Sequence, residues 1–295
     1  MSIEKILPPH EKDLGGFKVR RSLPAASRQS VGPFLFFDHF GPVTFTPPHK
    51  HDVRPHPHIG LATVTYLFNG AMMHRDNLGN VQRIEPGAIN WMTAGRGIVH
   101  SERSPIDLQE KTYENHGLQL WAALPLAHEQ TPPSFSHTPA NAIPTVTLPG
   151  AIVRVLIGYF LQEGQRITSP VATFTPTLYL DIALEADAVF ELPPLEAEQA
   201  VYSVKSSLQL DGQRLEPYCL ALLESNKPVT ITASEPARFV LIGGAPLDAP
   251  RFMWWNFISS SKQRIYEAAD AWEKQQMGHI AGETEWIALP EKRLD

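Results

Sequence analysis

Residues 47–60 read PPHKHDVRPHPHIG and hold two His-x-His pairs, His49/His51 and His56/His58. A related pair, His100-Ser101-Glu102, lies further along the chain. In an extended chain the side chains at i and i+2 leave the same face. Two such pairs on neighbouring strands would bring three imidazoles and one carboxylate into a single cavity. That set suits one borderline divalent ion, Fe, Mn, Co, Ni, Cu or Zn. The absence of thiolate from it disfavours a structural zinc site, which usually recruits Cys.

The second His-x-His pair is the better candidate. His56-Pro57-His58-Ile59-Gly60 leads directly into a strong strand pattern, whereas His49-Lys50-His51 follows Pro47-Pro48 with no strand signal. We therefore expect His49 and His51 on a surface loop and His56, His58, His100 and Glu102 as the ligand set. Histidines also cluster on loops without purpose, and the residues alone leave that reading open. His74-Arg75-Asp76 is a rival, a His-x-Asp of the kind that opens a facial iron triad. It stands at the start of the turn DNLGN, where an Asp commonly caps local backbone. Ser101 should point away from the cavity, and no Gly-x-Ser-x-Gly elbow marks it as a nucleophile. Gly95-Arg96-Gly97 reads as a tight turn, His116 as a core or edge histidine, and Cys219 as an inert thiol in an apolar run.

The elements that must position these residues are strands. LATVTYLF is rich in β-branched and aromatic residues, and Asn69-Gly70 after it is a hairpin signal. AMMHR, VQRIE, AINWMT, IVHSE and GLQLWAALP follow, separated by DNLGN, Pro86-Gly87 and AGRG. Strands of this length with turns between them suggest an antiparallel barrel or sandwich. Residues 126–150 are poor in pattern and read as a linker. A second β series then runs from AIVRVLIGYF to ARFVLIGG, without a His-x-His, so its barrel is expected to bind no metal. One helix is expected near the end. Ser259, Ser260 and Ser261 offer N-caps, and Gly278 offers a stop. Between them Ile265, Ala268, Ala269 and Trp272 share one face, and Trp254 and Trp255 read as packing residues.

Bulk properties exclude several classes. Of the 295 residues 43% are hydrophobic and 19% charged, enough for one large core or two modest ones. The net charge of −6 argues against direct nucleic-acid binding. A single cysteine rules out a disulfide within the chain. The opening MSIEKILPPHEKD lacks the apolar core of a signal peptide, and no apolar run has the length of a membrane span. A cytoplasmic protein without a membrane partner is the expectation.

HPHIGLATVTYLFNGAMMHRDNLG and EPGAINWMTAGRGIVHSE resemble the pirin family of the cupin superfamily. RRSLP, GPFLFFDHFGP, GLQLWAALP and the terminal RFMWWNF with SSSKQRI are similar to pirin segments too. The resemblance implies an all-β bicupin, two tandem antiparallel β-barrels of jelly-roll type with a C-terminal helix. Residues 1–145 would form the metal-binding barrel, and residues 146–295 a metal-free barrel with the helix and tail. It implies that His56, His58, His100 and Glu102 hold one divalent metal, usually iron in this family. Two functions follow from it. One is a dioxygenase opening flavonols such as quercetin, with dioxygen as co-substrate and Glu102 as general base. The other is a non-enzymatic, iron-dependent redox sensor that binds a protein partner, a transcription cofactor or a modulator of a metabolic enzyme. One departure stands out. Other cupins take a Glu four or five residues after the His-x-His, and this chain has Ala62 and Thr63 there.

Overall fold

The computed structural model of the chain describes residues 2–13, 17–50 and 52–292. Its contacts divide it into two units. One holds Asp13–Val19, His39–Ala140 and Asp248–Asp295, and is called the first unit below. The second holds Met1–Lys12, Arg20–Asp38 and Asn141–Leu247. Each is built on a large and a small antiparallel sheet.

In the first unit the small sheet has four strands in the order Val53–His58, Ile98–Arg103, Met72–Asp76 and Val81–Ile84. In chain order that is first, fourth, second, third. Within a seven-stranded sheet, Ser134–Thr138, Ile89–Thr93, Leu61–Asn69 and Tyr113–Ala123 follow one another. Leu61–Asn69 is buried along both faces for most of its length, which is why it reads as a continuous apolar run rather than an alternation. The second unit has a seven-stranded sheet and a small one of Val189–Leu192, Val229–Thr232, Leu208–Leu210 and Gln213–Leu215, again first, fourth, second, third. The all-β, two-domain jelly-roll expectation is met by open sheets facing one another within a unit rather than by closed barrels.

Three sequence expectations need correction. Asn69-Gly70 is a tight turn but not a hairpin: the strand before it lies in the large sheet and Met72–Asp76 in the small one. A turn signal specifies backbone reversal, not which sheet receives the next strand. The real hairpin is at DNLGN, where Met72 to Arg75 pair with Ile84 to Val81. The stretch 126–150 is not a bare linker, because Ser134–Thr138 pairs with Ile89–Thr93 and Thr145–Leu148 pairs with Ala151–Ile157. These strands are short and half-exposed, so they carry little apolar signal.

The third correction concerns the tail. The helix Lys262–Glu273 buries Ile265, Ala268, Ala269 and Trp272 as expected. It stops before Gly278, and its N-cap residue Ser261 makes no side-chain capping bond. Ser259 and Ser260 instead donate their hydroxyls to the Glu129 carboxylate. The apolar face of the helix packs on Ile59 and Val99, the outward-facing neighbours of the histidine pairs. Contacts therefore group the tail with the first unit, although it follows the second in the chain.

Candidate metal centre

Strand pairing explains the convergence. His100 is the cross-strand partner of His56, and Ile98 is that of His58. Partners across a sheet share a face, so the two histidines of Val53–His58 and His100 look into the same space. His56, His58 and His100 are 7%, 1% and 1% exposed, and one ligand atom from each lies within 4.8 Å of those of the other two. Among the described residues they form the one group of three or more ligand-type side chains this close. Gly60 closes the strand. It adopts φ +70, and a Cβ there would stand 1.9 Å from the Ile258 carbonyl oxygen. Only glycine lets the Phe257–Ser259 strand dock so near to the histidine pair.

Hydrogen bonds decide which ring nitrogens are free. His56 Nδ1 is 2.9 Å from the Arg54 carbonyl and His58 Nδ1 is 3.1 Å from the Asn256 carbonyl. A carbonyl only accepts, so in each ring Nδ1 carries the proton and Nε2 presents a lone pair. Asn256 is held in place by a turn in which Trp255 takes φ 53, a conformation uncommon for so bulky a residue. Burial keeps the rings neutral. It pushes His56 down to about 4, against the pull of the Arg54 carbonyl. His58 and His100 fall well below the ordinary histidine value, through burial first and the neighbouring imidazoles second.

These features fit a metal ion. His58 Nε2 and His100 Nε2 are 3.1 Å apart. Two nitrogens sharing one ion at bond lengths of about 2.1 Å would be separated by about 3.0–3.4 Å. Trp121 meets the His58 ring edge to face at 5.1 Å and walls this side of the cluster.

Glu102 is placed differently. Its side chain leaves the same face as His100, and Oε1 lies 3.8 Å from His100 Nδ1, on the side of the ring away from Nε2. It does not join the group of three. Burial alone pushes its carboxyl up to about 7. A nearby divalent cation would supply the missing counter-charge and pull that value back down.

The remaining candidates separate cleanly. His49 is exposed outside any strand, and His51 lies outside the described residues. Ser101 points away from the cluster and donates its hydroxyl to Glu283 at 2.9 Å. His116 stacks on His39, with their Nε2 atoms 2.7 Å apart. Burial pushes the half-buried Cys219 thiol upward. Trp254 and Trp255 pack against the cluster around Trp272. His74 and Asp76 are both buried beside His100, on the strand that flanks Ile98–Arg103 on its other side. Asp76 does cap the turn, accepting from the Leu78 and Asn80 amides. Sequence reasoning missed the supports of the cluster, the Asn256 carbonyl and Glu283. Neither carries a signal at such chain distances.

Two jelly-roll units, one with three buried imidazoles on its small sheet, define a two-domain cupin protein. Family models agree: that described as Pirin matches residues 16–122, and that described as the pirin C-terminal cupin domain matches residues 179–278. A pirin-like protein of Caulobacter vibrioides is 40% identical over 293 residues, 98% of this chain and all of its own. The chain belongs to the pirin family. The crystal structure of a quercetin 2,3-dioxygenase from Acinetobacter baumannii is 31% identical, with a TM-score of 0.87 over 98% of this chain and 97% of that one. A bacterial pirin from Escherichia coli in complex with nickel(II) has the same fold, at 15% identity and a TM-score of 0.63 over 82% and 99% of the two chains. No helix among the described residues is long and apolar enough to cross a membrane.

Proposed function

We propose that this protein is a metal-dependent dioxygenase that opens flavonols such as quercetin, with iron as its metal. The observation that carries the reading is the set of three buried, neutral imidazoles with a buried carboxylate on the next inward position of the same strand. The likeness to a quercetin 2,3-dioxygenase at 31% identity over nearly the whole chain supports the substrate class. His56, His58 and His100 would hold the ion, and Glu102 would complete the set. An ion held there would supply Lewis acidity toward an acidic hydroxyl of the substrate and a partner for dioxygen. Glu102 accepts the proton of the flavonol hydroxyl at a carboxylate oxygen, the role of a general base within hydrogen-bond reach. Trp121 and the buried strand faces around it exclude water.

Oxygen uptake measured with quercetin and stoichiometrically metallated protein tests the reading. We expect consumption of dioxygen together with loss of the flavonol's visible absorption. A protein with full, reduced metal and no uptake over a panel of flavonols would overturn it and leave a metal-dependent binding protein.

A further inference from the structure

Asp76 is 2% exposed, and both its carboxylate oxygens are engaged. Oδ1 accepts from the Leu78 amide at 2.9 Å and the Asn80 amide at 3.0 Å. Asn80 Nδ2 lies 3.0 Å from Oδ1 and 2.9 Å from Oδ2. Oδ2 also faces His74 Nε2 at 3.0 Å. The other nitrogen of His74, Nδ1, is 3.4 Å from His100 Nδ1. His74 is itself 3% exposed, and its ring stacks on Phe135 at 4.2 Å and 15°, which fixes its plane. The register of the two strands sets Asp76 opposite His100 and His74 opposite Glu102.

We propose that Asp76 and His74 are positioning residues, a hydrogen-bond relay that fixes the ring tautomer of His100 and thereby frees its Nε2 for a metal ion. The logic is a chain of donors and acceptors. An ionised carboxylate only accepts, so His74 Nε2 carries that ring's proton. When an ion takes His100 Nε2, the proton of that ring stands on Nδ1, and the lone pair of His74 Nδ1, 3.4 Å away, is the acceptor the geometry offers. The only partner that lone pair can take from His100 is a proton on Nδ1. His100 Nε2 then carries no proton, and it is this atom that stands 3.1 Å from His58 Nε2. His56 and His58 reach the same tautomer through backbone carbonyls, whereas His100 reaches it through two side chains. The inference rests on His100 being a metal ligand, and not on which reaction the metal serves.

Asp76→Asn is the informative substitution. Two backbone amides hold the Oδ1 position as an acceptor, so the new amide must turn its NH2 toward His74. His74 then accepts at Nε2 and carries its proton at Nδ1. Long-range 1H–15N correlation spectra of the protein loaded with diamagnetic Zn(II) report each histidine's tautomer. In the wild type we expect His100 protonated at Nδ1 and His74 at Nε2, and in Asp76→Asn His74 protonated at Nδ1, which leaves the Nδ1 proton of His100 without its acceptor. Co(II) affinity should fall about 10- to 100-fold, the usual cost of losing an outer partner of a ligating histidine. His74→Phe keeps the stack on Phe135 without an acceptor and should fall similarly, whereas His74→Gln, which can still accept from His100, should fall less. Wild-type spectra with His100 protonated at Nε2 would overturn the proposal without any variant having to fold. So would Asp76→Asn with unchanged tautomers and wild-type Co(II) affinity. His100→Ala separates the two layers: Co(II) retained at full affinity there would overturn the ligand reading itself, and with it the purpose of the relay.

Discussion

The two small sheets share one strand order and differ in what they bury. In the first unit the inward positions are His56, His58, His100, Glu102, His74 and Asp76. In the second, the strands at the same places in the order bury Phe190 and Leu192, Val229 and Ile231, Leu208 and Leu210. One sheet is a hydrocarbon wall that pays for itself by burial. The other is a polar wall in which His56, His58, His74 and Asp76 have fixed partners while Glu102 lacks a counter-charge. The topology is therefore permissive, and the alternating positions decide whether a sheet is core or site.

The sharpest way to break that comparison is to remove ligands. His58→Ala should strip nearly all metal, while His49→Ala should leave metal content unchanged, both read by elemental analysis. Stoichiometric metal in a His56→Ala/His58→Ala double variant would move the ion out of the first unit. Next in size is Glu102→Gln. General bases are worth on the order of a hundred- to ten-thousand-fold in rate. The metallated variant should bind a flavonol yet turn it over at least about a hundredfold more slowly. Wild-type turnover would reduce Glu102 to a ligand. The converse change lies in the second unit. Phe190→Ala removes a ring that is 2% exposed, and should cost about 3–5 kcal/mol of stability in denaturant titration. Its metal content per folded chain should not move.

How much of this was legible in the sequence follows from the range of each interaction. The i, i+2 rule selected His56, His58 and His100 because a strand's side-chain period is local. The same rule applied to His74 and Asp76, but the turn that begins at Asp76 offered a sufficient local role and masked the second one. Asp76 does both at once, one oxygen for the turn and one for His74. The partner of His58 is a backbone carbonyl 198 residues away, which no residue type announces. The helix was legible from its apolar face, whereas the surface it covers, Ile59 and Val99, was not.

Protonation gives a finer test of the polar wall. His56 is depressed from 6.5 to about 4 in the fold. Between those values the unfolded chain binds more protons, so the stability this residue contributes is full above 6.5 and is lost as pH falls toward 4. Glu102 runs the other way, raised from 4.5 to about 7. Its contribution is full below 4.5 and is lost as pH rises through 7 in the metal-free protein. Metal-free Glu102→Gln should therefore be more stable than wild type at pH 8, by an amount on the order of a few kcal/mol, and not at pH 4. Binding an ion should release one proton from Glu102 below pH 7, so wild-type affinity should rise with pH up to about 7 and then level, while Glu102→Gln lacks that component. Equal pH profiles would mean that Glu102 stays out of the ion's field.

The smallest expected effect lies on the outward face of the ligand strand. Ser101 and Arg103, which alternate with His100 and Glu102, both bond to the Glu283 carboxylate from the tail. The Arg103 hydrogen bond foremost holds the Glu283 carboxyl below its ordinary value of 4.5. A depressed carboxyl contributes stability that is present above 4.5 and lost as pH falls. The contact is a charge-assisted fork with side chains 14% and 12% exposed, so it is neither freely solvated nor sealed. Arg103 also has Asp52 at 3.6 Å and Glu285 at 3.5 Å, which would retain part of its electrostatic support if Glu283 lost its charge. The strand itself stays paired on both sides, to Val53–His58 and Met72–Asp76. Glu283→Gln should therefore cost only about 1 kcal/mol of stability at pH 7, less at pH 4, and change metal affinity by no more than about threefold. A loss of metal comparable to that of His58→Ala, measured in the same titration, would mean that the tail sets the spacing of the ligands and does not merely cover the back of their strand.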